Sequence, residues 1–394
     1  MTRLTPISGT VKEYAWGAAG GIADALGQRS TGTPEAELWL GAHPGAPSRP
    51  ADPTDGGWPD LAAWERESGQ RLPYLLKLLA VGAPLSVQAH PGAEQGRSGH
   101  RREQGAGVPV EDRARSYRDP HGKPELLIAV EDGFDGMSGF RPPAETLALL
   151  ELVTARTEED PPGAGLRHWQ HLLSDAPDAT SAIRDAVSWL LSGDPRVAST
   201  VQALSSADLR PLPEHDLVAL LARHHPGDPG IALALMLNRV RLGAGEALWI
   251  PPGQVHCYLS GLGVELMGPS DTVLRGGLTD KHVDVAELLQ VLDFTPGPAP
   301  RLVPVEVGPS ASAYRPRTVP SGADVSFELV HVRGDAELVT GTASIALVLQ
   351  GRFEVTVDGD TRELARGQAC LADGAGTWSL RGQGSLYLAT TLTG

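Results

Sequence analysis

Cysteine is nearly absent from this 394-residue chain, which holds only Cys257 and Cys370. The two lie far apart, without redox or metal-ligand spacing, so a disulfide framework is excluded and a reducing compartment fits. Long apolar runs are missing too. The longest, Leu72 to Val87, is broken by Lys77, Gly82 and Pro84 and is too interrupted to cross a bilayer. Met1 to Trp16 contains no apolar core of signal-peptide length. Excess positive charge is also lacking: Lys+Arg 33 against Asp+Glu 48 leave a net charge of −15. Such a surface repels phosphate backbones, so neither nucleic acid nor an anionic membrane is an expected partner. A small anionic substrate remains compatible if a local basic pocket overrides the global field. The chain reads as cytoplasmic, and it is expected to act as a monomer.

What is present is a 41% hydrophobic composition with 47 glycines and 33 prolines. That supports a sizeable core made of short strands and many turns, and the length suits two or three domains. Three textures follow one another. Residues 1–141 are mostly strand and loop, with a helical piece near Trp58 to Glu67. Residues 142–241 carry helical spacing in Leu147, Leu150, Leu152 and Val153, in Ile183, Val187, Leu190 and Leu191, and in Leu217, Leu220 and Leu221. Pro161-Pro162 and Pro211-Leu212-Pro213 punctuate these runs, which read as a helical insertion.

Residues 242–300 return to strand texture, with a helix expected after the N-cap Asp284, over Val285 to Leu292. Residues 301–394 form a last strand-rich region. Its expected strands are Ser344 to Leu349, Phe353 to Val357 and Leu386 to Ala389, with a hairpin turn at Asp358-Gly359. A faint repeat links Gly245–Gly253 before His256 to Gly367–Gly374 before Thr377. If genuine, it implies two related small barrels, of which only the first keeps a metal-binding histidine.

Four segments carry chemistry. In Pro84-Leu-Ser-Val-Gln-Ala-His-Pro91, strand alternation puts Ser86, Gln88 and His90 on one face. Three polar side chains cannot point into a dry core, so that face meets water, lines a polar cavity or binds a ligand. In His121-Gly-Lys-Pro-Glu125, Pro124 suits the entrance of a strand and sets Lys123 and Glu125 on one face; an ordinary exposed ion pair at a strand end is the commoner outcome for such residues. In Trp249 to Tyr258, a strand, a Pro-Gly turn and His256 on the return strand resemble the way barrels present an imidazole to their interior. Two imidazoles, one carboxylate and the Gln88 amide oxygen suit a borderline divalent ion, zinc first, with manganese and iron left open. In Ser270 to Asp284, Arg275 before two glycines can approach an oxyanion closely, with Lys281 adding charge; a solvated loop neutralised by Asp271 and Asp280 is the plain alternative.

These segments resemble the type I mannose-6-phosphate isomerases. The resemblance rests on Gln88-Ala-His-Pro91, Lys123-Pro-Glu-Leu126, Ile250 to His256 and Asp271 to Asp284, with Tyr14-Ala-Trp-Gly17, Glu37 to Pro44 and Leu72 to Lys77 as N-terminal motifs. It runs in order from near residue 10 to about residue 294; the last hundred residues match only in texture. It implies a mainly β fold of two cupin-type double-stranded β-helix (jelly-roll) domains with an α-helical insertion, the second domain lacking metal ligands. It also implies one zinc per chain, held by Gln88, His90, Glu125 and His256, and interconversion of mannose 6-phosphate with fructose 6-phosphate. By the same carry-over Arg275 is catalytic, Asp271 is a candidate for proton transfer, and Ser86, Lys123 and Lys281 bind substrate. The base stays open among a metal-bound water, Asp271 and His121. Gly122 departs from the family's usual His-Lys-Pro-Glu order, and Pro251-Pro-Gly-Gln-Val-His256 replaces its Pro-Ala-Gly-Asn-Pro-His. A cupin isomerase of another sugar and a non-catalytic sugar-phosphate-binding cupin are the rival expectations.

Overall fold

The computed structural model describes residues 2–156, 162–206, 210 and 214–391. Two ten-stranded antiparallel sheets account for most of the strand content. The backbone of the first is the run Thr10–Lys12, Glu37–Leu40, Leu75–Val81, His256–Met267, Phe134–Phe140 and Leu237–Leu242. Leu75–Val81 is buried throughout, which is why its composition is almost wholly aliphatic. Its single charge, Lys77, stands opposite Trp39 on one neighbour and Glu265 on the other. Glu125–Ala129 and Ala247–Ile250 pair with each other, and the former also joins His256–Met267.

The insertion lies between two strands that are partners. Phe134–Phe140 pairs with Leu237–Leu242, and the helices Pro143–Thr154, Pro162–Ser174, Ala179–Leu190, Pro195–Ser206, His215–His224 and Gly230–Ala234 fill the interval. Their apolar stripes close on Leu150, Trp169, Ile183, Val187, Leu217 and Leu221, as the helical spacing requires. Leu152 is the exception and faces solvent. The breaks at Pro161 and Pro211–Pro213 lie outside the described residues. The helix expected near Trp58 spans Leu61–Ser68, capped by the Asp60 carboxylate on Ala63 N–H; Val285–Val291 is capped by Asp284 on Glu287 N–H. Among the described residues no helix is long and apolar enough to cross a membrane.

The C-terminal sheet repeats the strand order of the first. Val305–Gly308, Ala311–Tyr314, Phe327–Val332, Gly376–Thr391 and Ser344–Val357 lie side by side. Ser344–Leu349 and Phe353–Val357, expected as separate strands, are one continuous strand. Its register shifts between Val348 and Gln350, and Gly351 (φ 76°) carries the chain through the irregularity. Asp358 and Gly359 both have positive φ (50° and 88°), the geometry of a tight hairpin turn with the twist the strands need. The first strand, Leu4–Ser8, lies in this second sheet, between Ala369–Ala372 and Arg49–Pro50. Tyr74 OH donates to carbonyl oxygens of the second sheet region, at Ala389 (2.9 Å), and Tyr314 OH to Gly245 O (2.6 Å), so the apolar layer between the sheets is pinned by polar tips.

Candidate active site

Three short segments converge because of pairing register. The three-residue strand Val87–Ala89 sets Gln88 opposite His256 on one side and opposite Arg275 of Leu274–Gly277 on the other. Glu125 opens its strand opposite Ile250 and Met267, and His90 follows directly after Ala89. The result is a buried cluster of His90, Glu125 and His256 whose ligating atoms all lie within 4.8 Å of one another.

Their hydrogen bonds decide which atoms face inward. His90 Nδ1 lies 3.0 Å from Thr272 O and His256 Nδ1 lies 3.0 Å from Gln254 O. A carbonyl only accepts, so each Nδ1 carries the proton and each Nε2 presents a lone pair. Those lone pairs meet the Glu125 carboxylate, at 3.2 Å from His90 and 3.3 Å from His256. Burial first, and then the Lys123 ammonium, lower the His90 pKa to about 4, so a proton does not bridge the pair at neutral pH. Burial alone would raise the Glu125 carboxyl, but Lys123, with Nζ 2.9 Å from Oε1, and the two imidazoles hold it well below its ordinary range. His90 Nε2 and Glu125 Oε2 are buried without a hydrogen-bond partner. Lone pairs facing a buried carboxylate are repulsive unless a cation sits among them.

Comparison with known proteins agrees with this geometry. The family model "Phosphomannose isomerase type I, catalytic domain" matches residues 4–143. Mannose-6-phosphate isomerase of Escherichia coli (strain K12) is 31% identical over 352 residues, 86% of each chain, and that of Bos taurus is 31% identical over 398 residues, covering 92% of this chain and 90% of the other. The chain belongs to the mannose-6-phosphate isomerase family. Solved structures extend the likeness over the whole fold. A mannose 6-phosphate isomerase bound with zinc and yttrium superposes with a TM-score of 0.85 at 25% identity, covering 99% of this chain and 100% of that one. A zinc-bound holo form gives 0.84 at 27%, again covering 99% and 100%.

The donor set of this family member fits zinc. Two imidazoles and a carboxylate converge, while the Gln88 amide lies 3.3 Å from His256 Nε2 and can turn its oxygen toward the same point. No thiolate takes part: Cys257 and Cys370 are buried, and burial raises both thiols, Cys370 to about 12.

The other expected residues sit at graded distances from this centre. Ser86 Oγ lies 3.5 Å from Gln88 Oε1. Arg275 is half-buried across from Gln88; burial first and then Arg118 lower its pKa. Lys281 is exposed, and its pKa is lowered by partial burial and next by Arg275, so Arg118, Arg275 and Lys281 form one basic patch in an acidic protein. Asp271 is exposed and turned to His43, 3.4 Å away, while its N–H is held by Asp119; the structure does not bring it to the His90–Glu125–His256 cluster. His121 is exposed as well. Gly122 cannot be a side-chain donor, and a Cβ there would meet Ala93 N at 2.7 Å.

Asp228 was not singled out from sequence, yet it fixes the Arg275 segment. Its Oδ1 accepts from Gly230 N–H (2.7 Å) and Leu278 N–H (2.8 Å), and Oδ2 from Thr279 N–H (3.2 Å). Leu278 is held at φ 54°, and Gly277 at φ 136° packs so closely that a Cβ would lie 2.8 Å from Gly230. Also missed is the ionic group of Lys77, 3.6 Å from Glu37 and 3.4 Å from Glu265, all buried. Burial would lower the Lys77 pKa, but Glu37 and Glu265 raise it. Burial and Glu125 raise the Glu265 carboxyl to about 7 against the pull of Lys77. A lone lysine in an aliphatic strand is the sequence signal that could have exposed this group.

Proposed function

We propose that this chain interconverts mannose 6-phosphate and fructose 6-phosphate, with Gln88, His90, Glu125 and His256 holding one zinc. The observation that carries the reading is the pair of Nε2 lone pairs turned on a buried carboxylate, with Arg275 in register beside them. A divalent ion held there would supply Lewis acidity to the reacting carbonyl. The reaction removes a proton from the carbon beside that carbonyl, and negative charge develops on the enediolate oxygens. Arg275 stabilises that charge without reorganising, because its segment is fixed by Asp228. Lys123 keeps Glu125 ionised and stands with Ser86 at the rim of the centre. Lys281, with Arg275, offers the phosphate the positive charge that the rest of the surface lacks. Asp271 remains the candidate for proton transfer, paired with His43.

In this reading residues 1–141 and 242–300 make the catalytic β domain, save that Leu4–Ser8 and Arg49–Pro50 join the other sheet; 142–241 is its helical insertion, and 301–394 a β domain without metal ligands. The protein works in the cytoplasm as a monomer. The test is direct: the purified chain given zinc and mannose 6-phosphate forms fructose 6-phosphate, and chelation abolishes turnover. Metal bound at one equivalent with no turnover would make it a sugar-phosphate sensor instead.

A further inference from the structure

The second sheet can be aligned to the first through its ladders. Leu126 faces Trp249 and Leu266, and Ile345 faces Leu371 and Ala389 in the same places. In the same register Lys77 faces Glu265 as Val330 faces Leu388, and the Gln88–His256 pair falls at Glu337–Ser379. The counterpart of Glu125 is therefore Ser344. Glu125 is thus replaced by Ser344, His256 by Ser379, and the buried Lys77–Glu265 pair by Val330 and Leu388.

The space itself has not closed. A cavity of about 210 Å³ lies against Val330, Leu388 and Thr340, and against Arg315, Glu328 and Thr390. At roughly 30 Å³ per water it holds about seven waters, the size of one monosaccharide. Its polar groups are arranged but not exhausted. Thr340 Oγ1 donates to Gly376 O (3.4 Å) and accepts from Trp378 Nε1 (3.3 Å). Thr390 Oγ1 donates to Thr391 O (3.2 Å) and accepts from Ser344 Oγ (2.8 Å). Each hydroxyl has thus committed its proton and keeps one lone pair. Glu328, buried, accepts from Arg315 Nε through Oε2, which leaves Oε1 as an acceptor and the two terminal guanidinium nitrogens as donors.

We propose that this cavity is a second ligand site, for an uncharged polyhydroxylated molecule of monosaccharide size. Glu328 neutralises Arg315, so the site offers no net positive charge to a phosphate. It has no imidazole or thiolate for a metal. The side-by-side guanidinium and carboxylate match vicinal hydroxyl groups, which donate and accept at once, and Val330 and Leu388 meet the C–H face.

Mannitol is the probe, titrated calorimetrically and by saturation-transfer NMR into the full-length protein and its His90→Ala variant. Saturable binding is expected in both, and mannose 6-phosphate should not displace it from His90→Ala. Thr390→Val and, independently, Thr340→Val should each weaken it about three- to tenfold, the loss of one neutral hydrogen bond, with isomerase activity unchanged. No saturable binding, binding abolished by His90→Ala, displacement by the phosphorylated sugar, or affinity untouched by both threonine variants would each overturn the proposal. Because the readout is binding and not turnover, failure here leaves the isomerase reading standing.

Discussion

Replacing Lys77 with methionine should destabilise the protein in a pH-dependent way. Lys77, Glu37 and Glu265 are exposed by only 5%, 8% and 3%, and the ammonium lies 3.6 and 3.4 Å from the two carboxylates. Methionine fills much of the same volume, so packing changes little and the loss is electrostatic. Removing one partner of a buried ion pair costs about 3–5 kcal/mol because the other charge is stranded. The stranded group can escape by protonation. Glu265 already titrates at about 7 with Lys77 present, raised by burial and by Glu125, and without the ammonium it rises further. Its ordinary value is 4.5. A carboxyl raised in the folded state costs stability fully above its folded pKa, and that cost disappears as pH falls toward the unfolded value. Urea unfolding of chelated Lys77→Met and parent protein should therefore show a gap of about 3–5 kcal/mol at pH 8 that shrinks clearly by pH 5.5. A gap that is constant with pH, or below about 1 kcal/mol at pH 8, refutes the assignment of a desolvated charge cluster.

Glu125→Gln should weaken zinc binding by more than about tenfold with secondary structure intact, read by metal analysis after dialysis and by circular dichroism. Arg275→Ala should lower kcat by about 10²–10³ while zinc content stays at the parental level, since a single preorganised donor to developing negative charge is lost. Asp228→Ala, which removes three backbone contacts around the strained Leu278, should cost about 1–3 kcal/mol in urea unfolding and reduce kcat more than it changes zinc content. An Asp228→Ala variant with parental kcat would show that Arg275 is positioned without it.

The His90–Glu125–His256 cluster was legible because its residues sit in short local patterns. Gln88 and His90 share a strand face by alternation, and Pro124 and the Pro252-Gly253 turn mark where Glu125 and His256 begin their strands. The helical insertion was legible from its 3.6-residue spacing, and the Asp358-Gly359 hairpin from turn chemistry. What escaped depends on pairing across long sequence distances. Lys77 looks like an interruption of an apolar run until Glu265 is placed opposite it. Asp228 looks like part of a loop until Leu278 and Thr279 meet it. The likeness of the two sheets shows in sequence only as a faint echo, because ladder register survives replacement of nearly every side chain on it.

The strand Leu4–Ser8 has its partner at Ala369–Ala372. One side of this strand, over Leu4–Ile7, therefore stays unpaired until residues 369–372 have been made, while Ile7 and Ser8 meet Pro50 and Arg49 on the other side. Until then it is an open β edge, available to a neighbouring nascent chain or a chaperone. Deleting those few residues would also injure the sheet most distant from them along the chain.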